Sequence, residues 1–186
     1  NRLMFPLFNV VGDIIGFAGR AYGDDMPKYL NTPETALFDK SKLLYGLDRA
    51  KKYLDKHGAI VTEGYMDVIA LHGAGLENAV ASMGTALTKS HVDQLRRYTG
   101  SVILSYDSDF AGDSASMRGI EMLVRADMDV KVISLPEGED PDSVVRSGGR
   151  EAFEGYMAQA ADYFDFLMDI HERRIGADSP AQKADI

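Results

Sequence analysis

The sequence predicts an α/β fold whose sheet is mostly parallel and flanked by helices. Three observations predict it. Apolar runs alternate with helical patterns through the middle of the chain, as they do in strand–helix–strand units. The runs are near-continuous in Val, Ile, Leu and Ala, the pattern of strands covered on both faces. Acidic residues follow three of them, and in open parallel sheets ligands sit beyond the carboxyl ends of the strands.

Each element can be justified in turn. Met4 to Val11 is extended and apolar, Gly12-Asp13 reads as a hairpin turn, and Ile14 to Arg20 as the returning strand. Tyr22 to Thr35 holds Gly23-Asp24-Asp25 and two prolines, and reads as a long loop. Ser41 to Lys56 has helical character, with Leu43, Leu44, Leu47, Ala50, Tyr53 and Leu54 on a periodic face. Ala59 to Thr62 is a strand, Tyr65 to His72 a helix ended by Gly73, and Ala79-Val80-Ala81 a short strand. Thr88 caps a helix that runs to about Tyr98. Ser101 to Tyr106 is a strand, Ala111 to Ala126 a helix, and Val130 to Leu135 a strand. From Ser143 the pattern is helical, broken at Gly148-Gly149, with a polar tail from Gly176. The chain thus divides into a front segment, 1–56, an alternating middle, 57–142, and a helical end, 143–186.

A chain of 186 residues suffices for one sizeable domain or two small ones. The absence of cysteine excludes disulfides and zinc ribbons and fits a reducing cytoplasm. No apolar run reaches membrane-spanning length, and the first residues lack the pattern of a signal peptide. The start at Asn1 and the end at Ile186 read as an excised piece of a longer protein. The net charge of −9 is unevenly spread. Residues 1–56 carry nine Lys/Arg against seven Asp/Glu, whereas residues 57–142 carry six against fourteen. Acid concentrated at a metal site is compatible with a polyanionic ligand, because bound cations reverse the local sign. An acidic solubilising surface is the alternative, and accounts for many of the C-terminal charges.

Two acidic stretches carry most of the chemistry: Glu63-Gly64-Tyr65-Met66-Asp67 and Tyr106-Asp107-Ser108-Asp109. Carboxylates about 4–5 Å apart repel by roughly 3–4 kcal/mol per pair at an effective dielectric of about 20. A fold keeps such a cluster when a divalent cation neutralises it, and hard oxygen ligands point to Mg²⁺ or Mn²⁺ and to phosphate chemistry. Asp67 lies one helical turn beyond Glu63 and can face the same site, or it can complement the helix dipole from the first turn. Asp107 and Asp109 point to one side of an extended backbone, although Asp109 could instead cap the next helix. Asp140-Pro141-Asp142 has an ordinary structural role open to it, Asp140 as N-cap with Pro141 at N1, and a metal-linked role can coexist with that. Lys28, Tyr29 and Asn31 lie in a proline-framed loop with Arg20 and Lys40 nearby in sequence, a mixture that suits a phosphate-bearing strand or a plain solvated loop. Ser82-Met83-Gly84-Thr85 could offer backbone N–H groups to a phosphate or be a simple strand–helix turn. The four histidines show no metal-ligand spacing.

Together these residues resemble the catalytic core of bacterial DnaG-type DNA primases. The middle is similar to their Toprim fold through Glu63-Gly64-Tyr65-Met66-Asp67, Tyr106-Asp107-Ser108-Asp109 and Gly138-Glu139-Asp140-Pro141-Asp142. The front resembles the primase-specific part through Arg2-Leu3-Met4-Phe5-Pro6, Gly19-Arg20, Pro27 to Thr35, Phe38-Asp39-Lys40 and Leu44-Tyr45-Gly46. Relatives often carry Gly at the place of Ser108 and a basic or polar residue at that of Phe110.

The resemblance implies a Toprim-type mostly parallel sheet, preceded by part of a primase-specific mixed α/β subdomain and followed by a helical segment. It implies Mg²⁺ or Mn²⁺ held by Glu63, Asp107 and Asp109 as catalytic ligands, with Asp67, Asp140 and Asp142 supporting. It implies nucleic-acid or nucleotide contact for Arg2, Arg20, Lys28, Tyr29, Asn31 and Lys40. The implied activity is that of a DNA-dependent RNA polymerase, a nucleotidyltransferase that makes short RNA primers on single-stranded DNA from ribonucleoside triphosphates. The implied setting is the bacterial cytoplasm at the replication fork, with a replicative helicase as partner through a domain absent here, and zinc only in a missing N-terminal domain. Two alternatives stand beside this. Toprim is shared with nucleases and topoisomerases, and the piece could bind metal and DNA without activity of its own.

Overall fold

In the computed structural model, residues 1–105 and 114–177 are described. The front segment forms a three-stranded antiparallel sheet, β1 (Arg2–Phe8), β2 (Ile14–Ala21) and β3 (Tyr29–Asn31), in the order β1-β2-β3. The hairpin is as the sequence predicts, but its turn is longer than Gly12-Asp13. The Asn9 amide oxygen accepts from the N–H groups of Val11, Gly12 and Asp13 at 3.1, 3.0 and 2.9 Å, so one side chain organises the loop. β3 lies inside the expected loop. Its three residues pair with Ala18 to Arg20, a non-local contact that a three-residue strand cannot announce in sequence.

The expected helix over Ser41–Lys56 is broken. A 3₁₀ turn (Lys40–Lys42) is followed by α1 (Leu47–Ala50) and α2 (Leu54–His57). Tyr45 exchanges backbone hydrogen bonds with Ala81, at 2.9 and 3.1 Å, which pulls the chain into extended form. Gly46 then turns at φ +82°, and a Cβ there would sit 2.9 Å from Val68 Cγ1.

The main sheet contains β4 (Ala59–Thr62), β5 (Ala79–Ala81), β6 (Ser101–Ser105), β7 (Asp129–Ile133) and β8 (Ala161–Asp162), in the order β5-β4-β6-β7-β8. The first four are parallel, as the apolar runs predict, and β8 is antiparallel to β7. β8 was not expected; two residues of mixed polarity carry no strand pattern. Between the strands run α3 (Tyr65–Gly73), α4 (Lys89–Leu95) and α5 (Ser114–Arg125). α6 (Pro141–Ala158) and α7 (Tyr163–Ala177) follow, and α6 is interrupted at Gly149, where φ is +69°.

The sheet has a core on each face. Leu44, Leu54, Val61, Val80, Leu95, Leu104, Ile120 and Leu123 fill one, beneath α1, α2, α4 and α5. Ile60, Val68, Leu71, Ile133, Val144 and Phe153 fill the other, beneath α3 and α6. Each such fully buried side chain contributes about 1.5–3 kcal/mol. A third cluster, Leu7, Ala18 and Phe38 with Leu43, Tyr65 and Met83, seats the front sheet on the start of α3. Among the described residues no helix is long and apolar enough to cross a membrane.

Candidate active site

Because β5, β4, β6 and β7 are parallel, their carboxyl ends share one rim. β4 runs through Thr62 into Glu63, and Gly64 admits the chain to α3. Glu63 is half-buried there. Asp67 is buried in the first turn of α3, and its Oδ2 accepts from the Gly64 N–H at 3.2 Å, so it caps that helix while lying beside the loop that holds Glu63. β6 brings the chain to the same rim at Ser105, in the strand next to β4. Asp107 and Asp109 lie outside the described residues.

The hydroxyls of Ser82 and Ser105, just past β5 and at the end of β6, are buried and find no hydrogen-bond partner among the described residues. They flank Thr62, whose hydroxyl donates toward the Gly64 and Val80 carbonyls at 3.3 and 3.4 Å. In the loop over Ser82–Thr85 two backbone N–H groups are engaged by the end of β4. The Ser82 N–H bonds the Thr62 carbonyl at 3.3 Å and the Gly84 N–H bonds that of Glu63 at 3.0 Å. Left-handed backbone at Met83 (φ +61°) and Gly84 (φ +70°) closes this loop over the end of β4.

The third acidic loop follows β7, with β6 between it and β4. Asp140 caps α6 through Oδ1, which accepts from the Ser143 N–H at 2.7 Å, with Pro141 in the first turn. Asp142 pairs with Arg146 at 2.8 Å, and Ser143 Oγ donates to Glu139. Among the described residues no group of three or more His, Asp or Glu side chains is set to hold a metal ion. The carboxylates at the rim and in these loops nonetheless offer oxygen donors only, the set a hard divalent cation prefers.

The cationic candidates gather on the front sheet. Arg20 and Tyr29 are cross-strand partners, so their side chains share a face. Arg20 Cζ lies 6.0 Å, and Lys28 Nζ 5.7 Å, from the centroid of the Tyr29 ring, within or at the range of cation–π attraction. Asn31 sits two residues on and so on the same face, half-buried, with its amide oxygen lacking a partner among the described residues. Arg2 starts from the opposite face and reaches over Gly19, where a Cβ would come within 3.2 Å of its Cδ, to donate to the Lys28 carbonyl at 3.5 Å. Arg20 and Lys28 also line an open crevice of about 580 Å³ with Leu3, Tyr22, Asp25 and Met26. Lys40 stands apart from this group, at the start of the 3₁₀ turn.

Tyr65 joins the two halves, and sequence reasoning did not single it out. It is 5 % exposed, with ring centroids of Phe5, Tyr29 and Tyr45 at 4.8, 5.7 and 5.6 Å. Burial pushes its phenol up to about 12, with Tyr29 acting in the same direction and the Arg20 guanidinium against it. Its hydroxyl has no hydrogen-bond partner among the described residues. The only sequence signal was its place two residues after Glu63. The result is a cation-bearing aromatic face set directly against the loop that carries an acid, which can bring a phosphodiester or triphosphate alongside an oxygen-donor rim.

Comparison with known proteins places this geometry. Residues 60–145 match a Toprim-like family model, and residues 1–51 match the N-terminal domain of the DNA primase catalytic core. The DNA primase of Clostridium acetobutylicum is 48% identical over 169 residues, which are 91% of this chain and 28% of that protein. A DnaG primase catalytic domain bound to single-stranded DNA superposes with a TM-score of 0.85 at 42% identity, over 98% of this chain and 60% of that one. The RNA polymerase domain of Mycobacterium tuberculosis DnaG, in complex with double-stranded DNA, gives 0.78 at 36% identity, over 90% of this chain and 56% of that one. The chain spans 28% to 32% of the length of the curated relatives from C. acetobutylicum and Salmonella typhimurium.

Proposed function

We propose that this chain, which belongs to the DnaG-type DNA primase family, is part of the catalytic core of a DNA-dependent RNA polymerase that makes RNA primers on single-stranded DNA. In that reaction the 3′-hydroxyl of a ribonucleotide attacks the α-phosphate of an incoming ribonucleoside triphosphate. The hydroxyl gives up its proton to solvent, an O–P bond forms, the bond between the α-phosphate and its bridging oxygen to the β-phosphate breaks, and pyrophosphate leaves. The Toprim match implies a divalent metal. Mg²⁺ or Mn²⁺, when bound, lowers the pKa of the attacking hydroxyl and neutralises the departing pyrophosphate. Glu63, Asp107 and Asp109 would hold it, with Asp67 beside Glu63 and with Asp140 and Asp142 from the neighbouring loop.

The front sheet supplies the rest. Arg20 and Lys28 present charge to phosphates from over the Tyr29 ring, and the part of the ring they leave exposed offers a base a surface to stack on. Asn31 adds a half-buried amide on the same face. Arg2 extends the positive face across Gly19, and Lys40 adds a cation from the adjoining turn. The observation that carries the reading is the contact of Tyr29 with Tyr65, which sets these cations against the Glu63 loop. Toprim alone is shared with enzymes that cut nucleic acid, and the match of residues 1–51 to the primase core is what favours the joining reading.

In this reading residues 1–56 belong to the primase-specific subdomain, 57–142 to Toprim and 143–186 to a C-terminal helical subdomain. The longer protein would work in the bacterial cytoplasm at the replication fork, and contact with a replicative helicase would fall to a domain other than these. The test is direct. The chain is incubated with single-stranded DNA, labelled ribonucleotides and Mn²⁺. Oligoribonucleotides that vanish in Asp107→Asn are expected; cleaved DNA without synthesis overturns the reading in favour of a Toprim nuclease.

A further inference from the structure

The turn that carries Lys40 is gripped by one face of α4. Thr88 Oγ1 donates to the Ser41 carbonyl at 2.6 Å, and Gln94 Nε2 donates to the Lys42 carbonyl at 2.6 Å. Between them His91 is fully buried. Its Nδ1 accepts from the Thr88 N–H at 3.3 Å, while the His91 N–H donates to Thr88 Oγ1 at 3.2 Å. The proton of the neutral ring is therefore on Nε2, which lies toward the carbonyls of Lys40 and Leu43 but makes a well-formed hydrogen bond to no group among the described residues. Residues 88, 91 and 94 recur every three positions and so occupy one side of the helix. Thr88 and Gln94 between them hold the successive carbonyls of Ser41 and Lys42, with the buried His91 ring between those two contacts.

The turn is braced from within as well. Asp39 Oδ1 accepts from Ser41 N–H and Oγ at 3.0 and 2.6 Å, and Oδ2 pairs with Lys42 at 2.7 Å. The Lys42 ammonium, with Ser41, lowers the Asp39 carboxyl to about 2. A 3₁₀ segment of three residues has no cooperative helix of its own to fix its place. Its position relative to the rim is set by partners 47 and 52 residues later in the chain.

We propose that Thr88, His91 and Gln94 are positioning residues that fix where Lys40 meets the phosphates of its ligand. The proposal rests on the reading of Lys40 as a phosphate contact. A lysine is a flexible point charge, and a backbone held in place confines its ammonium to one region. Misplacement of a binding group by about 1 Å can cost as much as 10²-fold in the reaction it serves. Losing the grip should therefore imitate, in part, the loss of Lys40 itself.

A double-mutant cycle tests this in the 186-residue chain. The probes are ATP with Mn²⁺ and an oligonucleotide of about sixteen thymidines. Affinities are measured well below the melting temperature of every variant. Lys40→Ala is expected to weaken at least one probe by about fivefold or more. Thr88→Val with Gln94→Leu should weaken the same probe by about three- to tenfold, and should add nothing in the Lys40→Ala background. Thr88→Ser, which keeps the hydroxyl, should restore binding. If the double variant does not fold, Gln94→Ala alone replaces it in the cycle. Additive losses, or a lowered melting temperature with unchanged affinity, would mean that α4 only stabilises the turn, and the proposal falls. If Lys40→Ala changes neither affinity, the assignment of Lys40 fails, and the proposal with it.

Discussion

Tyr65 offers the sharpest separation of shape from chemistry. Its ring packs among three aromatic rings between the front sheet and α3, yet its hydroxyl is buried without a partner among the described residues. Tyr65→Phe keeps the shape and deletes an unsatisfied polar group. Stability should hold or rise by up to about 1 kcal/mol, since a buried unpaired hydroxyl costs more than a missing one. Tyr65→Ala instead removes a ring that is 5 % exposed, and large-to-small aromatic truncations cost about 3–5 kcal/mol. With an m-value of about 2 kcal/mol/M, that displaces the urea midpoint by about 2 M. Equilibrium urea unfolding followed by tyrosine fluorescence and circular dichroism reads both. A Phe variant that loses about 2 kcal/mol or more would show instead that the hydroxyl is well satisfied in the fold.

Three further outcomes follow from the site. Asp140→Asn should leave stability nearly unchanged, because Asn caps as well as Asp, whereas Asp140→Ala should cost about 1 kcal/mol; equal thermal melts for the two variants would contradict the capping geometry. Burial lowers the pKa of both His72 and His91 in the fold, so the unfolded chain takes up protons first as pH falls. Their contribution to stability is then fully present above about pH 6.5, the unfolded value, and is lost below it as pH falls through the lowered values. Melting temperature should drop from pH 7.5 to 5.5, and His91→Asn, which keeps an acceptor for the Thr88 N–H, should show a shallower drop; equal slopes would refute the assignment. If Arg2, Arg20, Lys28 and Lys40 each neutralise one phosphate, the affinity for single-stranded DNA should fall with salt at a log–log slope of about −3, and Lys28→Ala should reduce it by about 0.7.

Much of this architecture could be read from residue pattern, and the failures share a cause. The strands β4 to β7 are short apolar runs ended by Gly or acid, so both their existence and their polar ends are local properties. Thr88 and Asp140 announce their helices because a cap is a contact within three residues. The missed features depend on distant partners. β3 exists through β2, β8 through β7, and the break after Leu43 through the pairing of Tyr45 with Ala81. The same holds in the site. Glu63 was legible as an acid at a strand end, but the place of Tyr65 between the two halves and the hold of Gln94 on the Lys42 carbonyl join segments far apart in sequence, and the pairing of Arg20 with Tyr29 depends on the three-residue β3 that carries no strand pattern.

In the proposed site, acids from separate strands meet at one rim and receive divalent cations there. A crystal of the chain soaked with Mn²⁺ and ATP tests it most directly, through the anomalous signal of manganese. A peak is expected within coordination distance of carboxylate oxygens of Glu63 and of Asp107 or Asp109, with the triphosphate between it and Arg20 and Lys28. Manganese bound elsewhere, with the Glu63 carboxylate turned from the other two, would contradict it.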